Sequence, residues 1–136
     1  MEATGKTIEC VVVTPEKKVL DETVEFVALP LFDGELGILA GRAPLIGRLG
    51  YGELRTRKGD TEHRYYIDGG FAQVRANVVT VLTPRALRAE EIDSAAAERT
   101  LEASRQPADS PHAQESHLKD QARARSQLMI ARRAKG

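Results

Sequence analysis

The sequence predicts an α+β chain in two parts: an N-terminal antiparallel β-sandwich over residues 1–88 and a C-terminal two-helix antiparallel hairpin over 89–136. Three observations carry this. All six aromatic residues and ten of the eleven glycines precede residue 72, and no glycine lies between Phe71 and Lys135. In the first part β-branched clusters recur at short spacing between turn signals, the pattern of an antiparallel sandwich or barrel. Beyond residue 88, Ala, Glu, Arg, Gln and Leu dominate, and these are good helix formers.

Strands are expected over residues 8–13, 19–29, 49–57, 62–67, 71–75 and 78–83. Thr14-Pro15, Lys58-Gly59-Asp60, Asp68-Gly69-Gly70 and Ala76-Asn77 punctuate them. Asp68-Gly69-Gly70 reads as a tight turn between two strands, since glycine adopts positive φ freely and Asp-Gly between apolar runs signals a hairpin. Its glycines are expected to place Phe71 and Val74 in the core. A second Gly-rich segment, from Asp33 to Leu45, reads as a loop.

Helices are expected over residues 91–105 and 111–134, separated by Gln106-Pro107-Ala108-Asp109-Ser110-Pro111. Ser110 can serve as N-cap and Pro111 as first helical residue, where a missing N–H leaves no acceptor unpaired. Charge separates the helices. Residues 1–88 carry twelve acids and twelve bases, residues 89–111 six acids and two bases, and residues 112–136 two acids and six bases. An acidic helix followed by a basic one can fold back with complementary faces. The apolar content is thin: Ile92, Ala96 and Leu101 on the first helix, Leu118, Leu128, Met129 and Ile130 on the second. Exposed ion pairs add less than about 1 kcal/mol each. The pair therefore reads equally as a solvated helical tail or as a mobile arm that undocks and re-docks.

Composition narrows the function classes. At 136 residues the chain can hold one domain with a core plus an appendage. Lys+Arg and Asp+Glu both total 20, which gives no push toward nucleic acid or a membrane surface. The single cysteine, Cys10, allows no intramolecular disulfide and reads as a small buried hydrophobe. No apolar run approaches the ~18 residues of a membrane span. The N-terminus lacks an apolar signal core, so a soluble chain facing the cytosol is expected.

Catalytic groups are sparse. His63 sits beside Arg64 in a polar strand, and His112 and His117 lie five apart. Five helical positions separate two side chains by about 140°, so the two imidazoles cannot share a metal as an i, i+4 pair does. No Gly-x-Ser-x-Gly elbow or phosphate loop occurs, and Arg55 stands where Gly50-Tyr51-Gly52 would need its third glycine. The bases of the second helix spread around the cylinder without stacking aromatics, which argues against nucleic acid. Neither an enzyme, a metal nor a cofactor is expected.

The order and spacing of several motifs are specific. They are Val12-Val13-Thr14-Pro15, Val24-Glu25-Phe26-Val27, Gly34-Glu35-Leu36-Gly37-Ile38-Leu39, Gly41-Arg42-Ala43-Pro44-Leu45 and Gly69-Gly70-Phe71-Ala72-Gln73-Val74, followed by Val78, Thr80, Val81 and Leu82. Through them residues 7–88 resemble the epsilon-subunit family of the bacterial rotary (F-type) ATP synthase; beyond residue 88 only the two-helix architecture matches. The resemblance implies a non-catalytic rotor subunit of the central stalk in a proton-translocating ATP synthase. It implies a sandwich gripping the gamma subunit and resting on the c-subunit ring, peripheral at the cytoplasmic face of the bacterial inner membrane without inserting into it. By that pattern Phe32, Glu35, Leu36, Arg42, Ala43 and Pro44 face the ring. Position 42 is often histidine in the family, so Arg42 keeps a cation and removes a titration near neutral pH. Glycines that only shape turns would give the same fold.

The resemblance also implies a hairpin that can extend along gamma to the alpha/beta catalytic head and impede ATP hydrolysis, with Arg123, Arg125, Arg132 and Arg133 as its contacts. Some members bind ATP between hairpin and sandwich through Ile-Asp-x-x-Arg-Ala. This chain keeps Ile92-Asp93 but has Ala96 and Ala103 at two arginine positions and Leu87 at the acidic one. Without those charge-assisted donors, weak or absent ATP sensing is expected. A nucleotide-sensing regulator and a free-standing β-sandwich binding module remain the alternatives.

Overall fold

A computed structural model describes residues 7–135; the first six residues of the expected sandwich, Gly5 among them, and Gly136 lie outside the described residues. Among the described residues eight strands run in the chain order β1 (Ile8–Val13), β2 (Lys18–Val24), β3 (Phe26–Leu31), β4 (Gly34–Ile38), β5 (Leu45–Lys58), β6 (Thr61–Arg75), β7 (Val78–Leu82) and β8 (Ala86–Arg88). A turn of 3-10 helix (Ala89–Glu91) leads to helices α1 (Ser94–Ser104) and α2 (Pro111–Lys135). The ladder order is β2-β1-β7-β6-β5-β3-β4, with β8 on β6. Every pairing is antiparallel except β1 with β7, which run parallel.

Two long strands hold the layers together. β5 and β6 pair in one unbroken register from Leu45↔Val74 to Lys58↔Thr61, closed by the turn Gly59-Asp60 with Gly59 at φ 59°. One end of this ribbon carries β7, β1 and β2; the other carries β3, β4 and β8. Between them lies Asp68-Gly69-Gly70, which is a kink inside β6 and not the strand-joining turn its composition predicts. Gly69 and Gly70 take φ 76° and 107°. Tyr65 and Ile67 point into the core before the kink, Ala72 and Val74 after it, so the side-chain alternation changes phase there. One continuous ladder thereby presents an apolar inner face in both layers. A Cβ on Gly70 would run into the Leu82 carbonyl oxygen, so close backbone approach fixes this residue as glycine. Val74 is in the core as expected, but Phe71 falls on the other side of the phase change and lies 59% exposed.

The core between the layers is built from β1 through β7, with Cys10, Val27, Leu29, Ile38, Leu54, Ile67, Val79 and Val81 fully buried. The run expected as one strand over 19–29 breaks at Glu25 into β2 and β3, and the expected loop contains the edge strand β4, paired with β3 from Val27↔Ile38 to Leu31↔Gly34. The glycines of that segment masked a five-residue strand because they leave little periodic apolar signal. The β6–β7 turn falls at Ala76-Asn77, both at positive φ. α1 is capped by Asp93, whose carboxylate accepts the Ala96 N–H at 3.0 Å, and α2 by Ser110, whose Oγ accepts the Ala113 N–H at 3.1 Å. The helices pack on each other and α2 lies over β5 and β6. A second apolar cluster forms there from Tyr66, Ala89, Ile92, Ile130 and Ala131, with Tyr51 and Leu87 at its margin.

Candidate functional site

The sandwich has two outer faces, and the side chains proposed for function divide between them. On the face beneath α2, Tyr66 is fully buried and donates its hydroxyl to Asp68 Oδ1 at 2.6 Å. Burial, then that hydrogen bond, raises the Tyr66 pKa above the ordinary phenol value. Arg123 Nε donates to the same Asp68 oxygen at 2.9 Å while the guanidinium lies 4.8 Å from the centre of the Tyr51 ring. Burial lowers the Arg123 pKa most, but Asp68 together with Tyr51 and Tyr66 outweighs it and the net shift is upward. Further along, Glu53, whose side chain is 4% exposed, accepts Arg64 at 2.8 Å and Arg133 at 3.0 Å.

Between the sheet and the hairpin lies a cavity of about 460 Å³. Leu87 and Ala96, two of the three altered nucleotide-motif positions, line it, whereas Ala103 is exposed elsewhere on α1. Four carboxylates (Asp68, Glu91, Asp93, Asp120) share the lining with two guanidinium groups (Arg85, Arg123), and Arg123 is already held by Asp68. Such a lining offers a polyanion few free donors and more carboxylates than cations.

The four α2 arginines separate by their surroundings. Arg123 and Arg133 hold sheet carboxylates; Arg125 and Arg132 are exposed and make no ion pair among the described residues. The thin seam read from the sequence is thus reinforced by two charged contacts whose acidic partners the sequence did not reveal. Asp68 reads locally as a turn residue, and nothing in the local pattern singles out Glu53.

The segment expected to meet a ring of subunits is divided too. Phe32 is exposed at the β3–β4 tip, its N–H bonded to the Arg48 carbonyl at 2.8 Å and its ring 4.5 Å from the Arg48 guanidinium. Glu35 lies on β4 at 3.9 Å from Arg55, and Leu36 packs against the core. Arg42, Ala43 and Pro44 are exposed in the turn before β5, which the Gly41 N–H anchors to the Asn77 side chain at 2.8 Å. The outer face of the β1–β7 layer exposes three large apolar side chains that nothing among the described residues covers: Ile46 is 78% exposed, Leu82 55%, and Phe71 pairs with Leu82 across the ladder, with Arg48, Gln73 and Thr80 in the same rows. The sequence reading missed this face. Its signal was the phase change at the glycine pair, which turns Phe71 outward.

Cys10 is buried, and burial first and Glu22 second push its thiol up to about 12, which removes thiolate at ordinary pH. His63 and His112 are exposed and His117 is half-buried on α2. Among the described residues no group of three His, Cys, Asp or Glu side chains is placed to hold a metal. No described helix is long and apolar enough to cross a membrane.

Residues 7–89 match the family described as ATP synthase, Delta/Epsilon chain, beta-sandwich domain. An ATP synthase epsilon chain from Rhodopirellula baltica is 52% identical over 129 residues, covering 93% of this chain and 99% of that one. One from Pelotomaculum thermopropionicum is 46% identical over 93 residues, covering 68% of this chain and 69% of its own length. Among solved structures, a chain of the Euglena gracilis mitochondrial ATP synthase assembly of OSCP, F1 and c-ring superposes with TM-score 0.81 at 27% identity. That match covers 89% of this chain and 79% of the other. A chain from the central stalk/c-ring of the Tetrahymena thermophila mitochondrial ATP synthase shares the fold, with TM-score 0.70 at 15% identity over 91% of this chain and 96% of that one.

Proposed function

The chain belongs to the ATP synthase delta/epsilon family, and from that premise we propose that it is a non-catalytic coupling subunit of the rotor stalk. The uncovered apolar face of Ile46, Phe71 and Leu82 is the observation that carries this reading. Exposed apolar side chains gathered on one sheet face mark a partner surface, and such a surface needs no chemistry of its own. We assign that face to the gamma subunit. Phe32, Glu35, Leu36, Arg42, Ala43 and Pro44 are assigned to the c-subunit ring, with the direct contacts falling to the exposed Phe32, Arg42, Ala43 and Pro44. Leu36 supports them from the core, and Glu35 through Arg55.

In this reading residues 1–88 form the coupling part and residues 89–136 a regulatory part. The regulatory part impedes ATP hydrolysis when it reaches the alpha/beta head, and Arg125 and Arg132 are the contacts free to do so without breaking a bond to the sheet. The protein then sits peripherally at the cytoplasmic face of the bacterial inner membrane. The acidic lining of the cavity under the hairpin supports weak or absent ATP sensing.

Co-purification with a gamma subunit tests the coupling role: the full chain is retained, and loss of retention in wild type sinks the reading. Replacing Arg125 and Arg132 by alanine raises ATP hydrolysis of the assembled enzyme if the hairpin inhibits; unchanged hydrolysis removes the inhibitory role. Calorimetric titration with ATP at millimolar concentration gives no binding heat, and a saturable isotherm overturns the assignment of the cavity.

A further inference from the structure

Among the described residues, Asp68 and Glu53 are the two sheet carboxylates that α2 reaches, and the helix meets each with one arginine. We infer that the hairpin is latched to the sandwich by the chain's own carboxylates, Asp68 holding Arg123 and Glu53 holding Arg133, so that docking needs no bound ligand. The inference builds on the hairpin reading above but concerns the isolated chain, so the two fail separately.

The geometry supports a latch at both points. Asp68 is fixed at the kink, where its backbone N–H donates to the Arg85 carbonyl at 3.1 Å and its Oδ1 accepts both Tyr66 and Arg123. Glu53 is nearly enclosed, so its two oxygens are satisfied by Arg64 and Arg133 in place of water. Arg123 and Arg133 lie ten residues apart, about 15 Å along a helix, with the buried Ile130 and Ala131 near the second. Two anchors at that separation fix both the position and the rotation of α2, which a small apolar seam alone does not.

The energetics follow from enclosure. A charge-assisted hydrogen bond to an enclosed carboxylate is worth more than an exposed ion pair, and removing one partner strands the other. In the cavity beside this latch, alanine stands at position 96, and Arg123 makes its strongest contact with Asp68 of the sheet. The same two arginines cannot hold the sheet and a partner at once. Docking is therefore the resting state, and any partner that extends the hairpin must first displace Asp68 and Glu53.

Hydrogen exchange on the full chain tests this. In wild type the α2 amides are protected, and protection falls as salt rises from ~0.05 to ~1 M, modestly because enclosed pairs are screened less. Arg123→Gln and Arg133→Gln change only the helix side and leave the sandwich intact. Each speeds α2 exchange roughly tenfold while β1 and β7 amides keep wild-type rates. Asp68→Asn does the same, and the Asp68→Asn/Arg123→Gln double variant is no faster than either single one, the mark of a shared contact. Wild-type α2 exchange in both arginine variants, or fully additive effects in the double variant, overturns the latch.

Discussion

On one side of the sandwich Tyr66 is fully buried beneath α2; five residues further along the same strand, Phe71 lies 59% exposed on the opposite side. Both faces carry large apolar side chains, yet among the described residues only one is covered. The covered face carries Glu53 and Asp68 next to its aromatic surface, and the basic helix docks there. The bare face carries Ile46, Phe71, Gln73, Thr80 and Leu82; the carboxylate in the same rows, Asp21 on β2, is exposed and already paired with Lys18 at 3.0 Å, so it offers the arginines of α2 no enclosed acceptor. Apolar area makes a surface worth covering, and charge decides what covers it. The face left open is the one a second protein can occupy.

The largest disturbance to this division comes from the joint between the two layers. Gly70→Ala puts a methyl group against the Leu82 carbonyl and forces a φ of 107° on alanine. The expected loss is about 4 kcal/mol or more, seen as an insoluble or unfolded chain by circular dichroism. A soluble variant with a wild-type melting curve would show that the kink is not what holds the two faces in place.

Next in size is the covered face alone. Ile130→Ala removes a fully buried side chain and is expected to cost about 2–4 kcal/mol, felt as loss of α2 protection while the sandwich stays folded. Tyr66→Phe keeps the ring and removes the hydroxyl that Asp68 accepts, for a loss of about 1 kcal/mol in the same measurement. Equal losses of protection across β1 and α2 in either variant would show that helix and sandwich unfold as one unit.

On the bare face the same kind of change leaves stability nearly untouched. Phe71→Asp is expected to shift denaturant unfolding by no more than about 0.5 kcal/mol, because the ring already faces solvent. A large destabilisation would mean that the face is internal structure and no partner surface.

Alkaline pH acts differently, as a gradual loss spread over several pH units. Burial pushes Cys10 from 9.0 and Tyr65 from 10.0 up to about 12, and Tyr66 is raised as well. Folding keeps these groups neutral, so the stability they give is full below pH 9 and is lost as the unfolded chain ionises between about 9 and 12. Urea midpoints across that range should fall smoothly, and native Cys10 should resist alkylation at pH 8. Rapid alkylation of native Cys10 would contradict its burial.

Much of the fold was legible because it rests on local rules. The change of composition near residue 88, the Gly59-Asp60 turn and the Ser110 cap all act within a few residues. What was not legible depends on phase and partners. The glycine pair reads locally as a turn, and only the unbroken β5–β6 register shows that it turns the alternation over. β4 is an edge strand made of Gly-Glu-Leu-Gly-Ile, whose pairing comes from β3 and not from its own pattern. The four arginines look alike in a helix without aromatic neighbours; Asp68 and Glu53, 55 and 80 residues away from their partners, divide them.

One face is closed by α2, and the other is the one we assign to the gamma subunit. Binding of purified gamma to the wild-type chain, to an Ile46→Asp/Phe71→Asp/Leu82→Asp variant and to Arg123→Gln tests it most directly. The account predicts that the wild type and Arg123→Gln bind alike and that the bare-face variant loses at least about tenfold in affinity, as removal of central apolar anchors does. Wild-type affinity in the bare-face variant, or loss confined to Arg123→Gln, would contradict it.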